Sequence, residues 1–190
     1  SPGELINHFG NHGSHLLELA HGIDNRPVVP DREAKSISHE TTFATDLDDP
    51  EALRAWLLEL TEQVARRLRR HALRGRTVEI KVRYSDFRTQ TRSRKLPQST
   101  SNTNELWEAV DQLFQSRVPG GCQPVRLLGM QVSNIDRSGV TQGQLFDESD
   151  RDSQDKLDKV GDQIRQRFGS QALSRGSTLA HEARHRPRPT

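Results

Sequence analysis

Seven cations crowd the twenty residues from Arg76 to Lys95: Arg76, Lys81, Arg83, Arg88, Arg92, Arg94 and Lys95. Set against Glu79 and Asp86 they leave a local excess of +5 in a chain whose formal total is only +2. Thr89, Gln90, Thr91 and Ser93 are interleaved with the arginines. Guanidinium and ammonium groups neutralise phosphates, and hydroxyl and amide side chains donate to phosphate oxygens, so this mixture suits a nucleic-acid backbone. The plainer alternative is the solvated outer face of an antiparallel sheet.

Other residue types with possible chemistry are less well placed. His8, His12, His15 and His21 have no His-x-x-x-His pair with a carboxylate in a metal-site pattern, apart from His8 and His12, which straddle a glycine turn. Asp48, Asp49 and Glu51 are better explained as the start of a helix than as a metal site or a nuclease centre. Cys122 is the single cysteine and cannot form an internal disulfide. With no sign of zinc or a redox pair, a cytoplasmic location is expected. Leu145 and Phe146 are adjacent large apolar groups in a polar stretch, without periodic partners to explain them.

The basic segment begins as a strand. Val78, Ile80, Val82 and Tyr84 alternate with Glu79, Lys81, Arg83 and Ser85, and successive strand side chains face opposite sides. Ser85-Asp86 turns the chain into a third strand. Ile37, His39, Thr41 and Phe43, alternating with Ser36, Ser38, Glu40 and Thr42, predict the first strand, and Val125 to Val132 the fourth. Between them, Leu53, Trp56, Leu57, Leu60, Val64 and Leu68 form the stripe of a helix that starts at Asp49-Pro50 and is expected to end at Gly75. Arg66, Arg67, Arg69 and Arg70 at its end read as solvated, dipole-matched cations. Asn102 to Glu105 caps a second helix with Leu106, Trp107, Val110, Leu113 and Phe114.

Strand, helix, strand, strand, helix, strand is the split βαβ order. The expected fold is α+β, a four-stranded antiparallel sheet with two helices on one face. Its open face should carry Lys81, Arg83, Ser36, Ser38 and Glu40. Ahead of it, Glu4–Phe9 and Ser14–His21 predict two short helices with Leu5, Phe9, Leu16, Leu17 and Leu19 as their apolar contacts. After Ile135 the chain turns polar, with one amphipathic helix over 153–168 (Leu157, Val160, Ile164, Phe168) and a disordered end from Ser174. Apolar residues make up only 31%, so part of the chain builds no core, and no apolar run approaches the ~18 residues of a membrane span.

Several of these segments resemble one family. Leu16 to Val28 (LLELAHGIDNRPV) looks like the end of the thumb domain of the bacterial Y-family translesion polymerases of the DNA polymerase IV group. Lys35 to Phe43 resembles the first strand of their little finger domain, Tyr84-Ser85-Asp86-Phe87 with Arg88 to Ser93 its central hairpin, and Val125 to Met130 its last strand. Gln142 to Phe146 is similar to the Gln-x-x-Leu-Phe motif that binds the sliding clamp, and Leu157 to Gly169 to a short helix that follows it in many members. The resemblance runs to about Ser177.

It implies an end of thumb over 1–26, a linker over 27–34, a little finger over 35–135, and a flexible tail over 136–190 with the clamp motif at 142–146. The little finger would hold double-stranded template–primer DNA through its backbone, in bypass of DNA damage. Ser36, Ser38, Lys81, Arg83, Arg88, Thr89, Thr91, Arg92, Ser93 and Arg94 are the implied DNA contacts, although alternation lets only one set of the third strand share the open face. Gln142, Leu145 and Phe146 are the implied contacts to a bacterial sliding clamp. The family's palm motifs, with their acidic metal ligands, are not found. No catalytic residue or cofactor is therefore expected in this chain, and magnesium would belong to the missing palm. The chain, which opens Ser1-Pro2, is expected to be a monomeric piece of something longer, with no membrane partner. A clamp-tethered adaptor without catalysis and an RNA-recognition-type module on the same topology remain the alternatives.

Overall fold

The computed structural model describes residues 2–30, 33–117, 123–137 and 148–169, with 172, 173, 175 and 176. The chain divides into two compact units, 1–33 and 34–190. The first holds two helices, α1 (Pro2–Phe9) and α2 (His12–Ala20). They meet where Gly13 lies against the backbone of Leu5, an approach that leaves no room for a Cβ. Leu5, Leu16 and Leu17 are half-buried, but Phe9 and Leu19 are exposed, contrary to the contacts expected of them. So short a unit has too little surface to cover every apolar side chain. At its end Arg26 clamps Asp24 through two hydrogen bonds of 2.8 and 2.6 Å and holds that carboxyl below the usual carboxylate range.

The second unit is α+β. Its elements are β1 (Ser36–Leu47), α3 (Pro50–Arg70), β2 (Arg74–Tyr84), β3 (Thr89–Thr100), α4 (Thr103–Arg117), β4 (Val125–Asp136) and α5 (Glu148–Phe168). The four strands form one antiparallel sheet in the order β1-β4-β2-β3. The edges are therefore β1 and β3, and among the described strands β2–β3 is the one pair that is adjacent in both sequence and sheet. Helices α3 and α4 cover one face. Leu53, Leu57, Leu60, Val64 and Leu68 of α3 are almost fully buried against Val78, Ile80 and Val82 of β2 and Leu128, Met130 and Val132 of β4. Truncating a leucine such as Leu57 to alanine in so dense a contact typically costs about 2–5 kcal/mol.

Local chemistry sets the helix ends. Asp49 caps α3, its Oδ1 accepting from the Glu51 N–H at 3.0 Å, with Pro50 in the first turn. Asn102 Oδ1 caps α4 by accepting from the N–H groups of Asn104 and Glu105. The stop of α3 differs from expectation. Ala72, at φ +52°, takes the left-handed position, and the Leu73 N–H returns to the Leu68 carbonyl at 2.8 Å. Gly75 instead lies within β2, where a Cβ would run into Val132 Cγ1. Arg54 of α3 donates twice to Asp111 of α4, at 2.6 and 2.9 Å, and locks the helical layer.

His39 sits on the helix-facing row of β1. Burial, and then the charge of Arg67, push its pKa below the ordinary value of ~6.5. The unfolded chain binds this proton more readily, so the contribution to stability is whole above about pH 6.5 and fades as pH falls through that value. Thermal unfolding at pH 7.5 and 5.5 should show a smaller acid-side loss for His39→Gln than for the unaltered chain. Equal losses would contradict this.

Beyond the sheet, α5 begins at Glu148, earlier than expected, and it is not a free helix. Asp158 and Asp162 take Arg69 in ion pairs of 3.0 and 2.7 Å, and Arg151 reaches Glu105 at 2.9 Å. Arg69 was expected to be solvated like its neighbours. It is instead 13% exposed, and it also donates to the Ser101 carbonyl and to Thr103 Oγ1. The expected disordered end from Ser174 lies almost wholly outside the described residues. Among the described residues no helix is long and apolar enough to cross a membrane.

Candidate nucleic-acid interface

Register decides which cations share a surface, because residues directly opposite one another in a ladder point to the same face. Four rows cross the open face from β1 through β4 and β2 to β3. They are Ser36–Ser133–Thr77–Lys95, Ser38–Gln131–Glu79–Ser93, Glu40–Gly129–Lys81–Thr91 and Thr42–Leu127–Arg83–Thr89. The helix-facing rows are Ile37–Val132–Val78–Arg94, His39–Met130–Ile80–Arg92 and Thr41–Leu128–Val82–Gln90. Of the sequence-picked residues on the third strand, Thr89, Thr91 and Ser93 therefore join Ser36, Ser38, Lys81 and Arg83 on the open face. Arg92 and Arg94 point the other way. Both remain exposed, since β3 is the edge strand and overhangs the helical layer.

The open face is less basic than its alternation suggested. Lys81, Arg83 and Lys95 are set against Glu40 and Glu79, an excess of one. Lys81 is moreover engaged: its Nζ donates to Glu40 Oε2 at 2.9 Å, reaching over β4 where Gly129 leaves the space of a side chain vacant. The charge lies instead along β3 and its hairpin. Arg83 donates from Nε to Thr89 Oγ1 at 3.0 Å, and Arg92 to the Thr91 carbonyl at 2.9 Å. Arg94 donates to Gln112 of α4. None of these three, nor Lys95, is held in an ion pair among the described residues. On the helix side, Arg92 and Arg94 line a cleft of about 590 Å³ with Gln112, Leu113 and Ser116. The edge strand thus presents cations on both faces, with hydroxyls between them on the open one.

The hairpin tip is closed by its own hydrogen bonds. The Phe87 N–H donates to the Tyr84 carbonyl and the Tyr84 N–H to the Arg88 carbonyl, both at 3.0 Å, while Asp86 Oδ1 accepts from the Arg88 N–H at 2.9 Å. Phe87 takes a left-handed conformation at φ +64° and is 65% exposed, with the Arg126 guanidinium 5.0 Å above its ring. The Arg88 guanidinium lies over Tyr84, donates to Gln123 and has Asp86 at 4.0 Å, so the arginine is braced against the loop. Tyr84 itself is buried, and no aromatic side chain among the described residues occupies the four open-face rows. Base stacking on this face thus lacks a platform. Lys95, counted among the basic residues but left out of the implied contacts, closes the first row, and the Phe87–Arg126 pair was not anticipated. Gln142, Leu145 and Phe146 lie outside the described residues. Among those described, no three His, Cys, Asp or Glu side chains are grouped to hold a metal ion.

Glu40 neutralises Lys81; on the expectation that this face meets duplex DNA, Glu40→Gln should tighten duplex binding about three- to tenfold near 0.1 M salt and steepen its salt dependence by about one contact. Fluorescence anisotropy against a labelled duplex checks this. Weaker binding by the variant would mean that Glu40 positions Lys81 for contact instead of withholding it.

Residues 34–145 match the model of the impB/mucB/samB family C-terminal domain. The chain is 37% identical over 187 residues to a protein named DNA polymerase IV from Desulfatibacillum aliphaticivorans, covering 95% of this chain and 46% of that one. It is 39% identical over 171 residues to a DNA polymerase IV of Dehalococcoides mccartyi, covering 90% and 43%. With the DNA polymerase IV of Methanoculleus marisnigri it shares 42% over 145 residues, covering 76% and 39%. The chain spans less than half the length of these relatives.

Proposed function

The chain belongs to the impB/mucB/samB family by its C-terminal domain, and from that premise we propose that it is the DNA-gripping part of a translesion DNA polymerase. On this reading the sheet's open face and the β3 edge hold template–primer duplex by its phosphates, at whatever sequence or lesion the duplex carries. The observation that supports it most is the β2–β3 hairpin, where Arg83 of β2 and Arg92, Arg94 and Lys95 of the β3 edge stand outside any described ion pair beside Thr89, Thr91 and Ser93. Cations left unneutralised by the fold are available to replace the counterions of a phosphate chain. Arg88, Ser36 and Ser38 extend the surface to the hairpin and to β1. Such contacts position a duplex without reading its bases.

The resemblance of Gln142 to Phe146 to a clamp-binding motif adds a second partner, a bacterial sliding clamp. Leu145 and Phe146 would enter an apolar pocket and Gln142 would hydrogen-bond at its rim. Tethering to a ring on DNA raises the local concentration of a weak DNA binder. Magnesium-dependent nucleotidyl transfer is not assigned to any residue of this chain. A monomer acting in the cytoplasm completes the proposal.

Competition between unlabelled duplexes of unrelated sequence, and between duplex and single strand of equal length, tests the DNA part. Equal competition by all duplexes and several-fold weaker competition by single strands is expected. A single-strand preference would favour an RNA-recognition-type module.

A further inference from the structure

Helix α5 is amphipathic, and it docks with its charged face. Leu157, Val160 and Phe168 are 64, 51 and 67% exposed, while Asp155, Asp158 and Asp162 point into the body. Asp158 and Asp162 converge on Arg69, and Asp155 Oδ1 accepts from Asn102 Nδ2 at 2.9 Å. Contacts of this kind return little net free energy, because each charge gives up its hydration to make them. With Leu157, Val160 and Phe168 of its apolar stripe turned outward and only Ile164 half-buried, α5 gains little of the apolar burial that ordinarily fixes a helix.

What α5 covers around Arg69 is cationic, while its own Arg151 and Arg165 pair with Glu105 and Glu62 to either side. Arg66 and Arg70 flank Arg69 on the last turns of α3, and neither has a hydrogen bond or ion pair among the described residues. Together with Arg67 and Arg74 they form one wall of a cleft of about 880 Å³, of which α5 is the other. Five arginines of the body line that cleft with Asp136, facing Asp155 and Asp162 of α5, which also brings Lys159 and Arg165 to it. The α5 carboxylates recur every three or four residues, which at 1.5 Å per residue puts them about 4.5–6 Å apart along the helix axis. A row of anions at that step resembles the backbone of a nucleic-acid strand.

We infer that the arginine-bearing end of α3 is a second phosphate-binding surface, that α5 occupies it in the free protein, and that a single nucleic-acid strand displaces α5 from it. The open part of the cleft gives an entering strand Arg66 and Arg70 before any α5 contact breaks. Entry favours a single strand over a duplex, because the part of the cleft left open while α5 is still docked is a narrow groove between two helices. No aromatic residue lines it, so the bases would not stack and recognition would be by backbone alone. The surface belongs to the helical layer and shares no residue with the open face of the sheet or with the β3 edge. It stands or falls independently of the duplex reading above.

The test uses the full chain and a labelled twelve-nucleotide single strand. Asp158→Asn with Asp162→Asn should raise affinity about tenfold. Asp152→Asn with Glu108→Gln, which removes the same charge from exposed positions outside the contact, should change it less than twofold. Adding Arg66→Glu and Arg70→Glu to the first pair should cancel the gain. In the unaltered chain, tryptic cleavage after Lys156 and Lys159, followed by mass spectrometry, should accelerate at least threefold when the strand is added. A first pair no better than its charge control, a gain that survives loss of the arginines, or cleavage that is unchanged or slowed would each overturn the inference.

Discussion

Reversing Arg83 and Arg92 to glutamate is expected to weaken duplex binding by about 30- to 100-fold near 0.1 M salt. The two side chains lie on opposite faces of the same hairpin, one on the open face and one on the helix side of β3. Each charged contact to a phosphate is worth about 1–1.5 kcal/mol once solvent competition is allowed for, so losing two gives roughly 2–3 kcal/mol. The slope of log K against log salt should fall by about 2, because each lost contact stops releasing about 0.9 of a counterion. The loss should be uniform across duplex sequences, and urea unfolding should be nearly unaltered, since both residues are at the solvent boundary. An unchanged slope would show that neither arginine meets a phosphate. If Arg83→Glu alone produced the whole effect, the grip would be confined to the open face and the underside of β3 would be a bystander.

Loss of Leu145 and Phe146, the proposed contacts to a clamp, should have the larger consequence for that second partner. With Leu145 and Phe146 both changed to alanine, binding to a bacterial sliding clamp should fall at least about 100-fold, below detection in calorimetry at micromolar concentrations. Two large side chains buried in a pocket contribute about 1.5–3 kcal/mol each. Short peptide motifs of this kind bind weakly, so there is little surplus affinity from which to lose that amount. Duplex binding should stay within twofold of the unaltered chain, because no cation is touched. Clamp binding that survives the double change would dispose of the motif, and a parallel loss of duplex binding would show that the pair packs against the domain.

Much of the fold could be read from alternation and helical spacing. The strand of Val78, Ile80, Val82 and Tyr84 and the helix of Leu57, Leu60, Val64 and Leu68 bury the faces their spacing predicts, and the caps Asp49 and Asn102 hold the N–H groups their positions suggest. The site was harder, for a definite reason. A strand pattern fixes which residues share a face, but the face of β3 depends on how many residues the turn consumes. The loop is Ser85-Asp86-Phe87, and its left-handed residue is phenylalanine where such a position usually calls for glycine or asparagine, so its length could not be read. Pairing across strands distant in sequence was equally hidden. Nothing local says that Glu40 and Lys81, forty-one residues apart, meet over Gly129. Arg69 misled in the same way, because its partners Asp158 and Asp162 come from a helix that sequence alone treats as part of a loose tail.

The most direct test of the DNA grip is amide hydrogen exchange of the chain with and without a saturating duplex. β3 is an edge strand, so the amides that face away from β2 lack a ladder partner and should exchange fast in the free protein. Duplex should slow exchange across 85–96 and in the facing part of β2, leaving the core of α3 as it was. Protection confined to the helical layer, with β3 exchanging as fast as before, would contradict a duplex held at this edge.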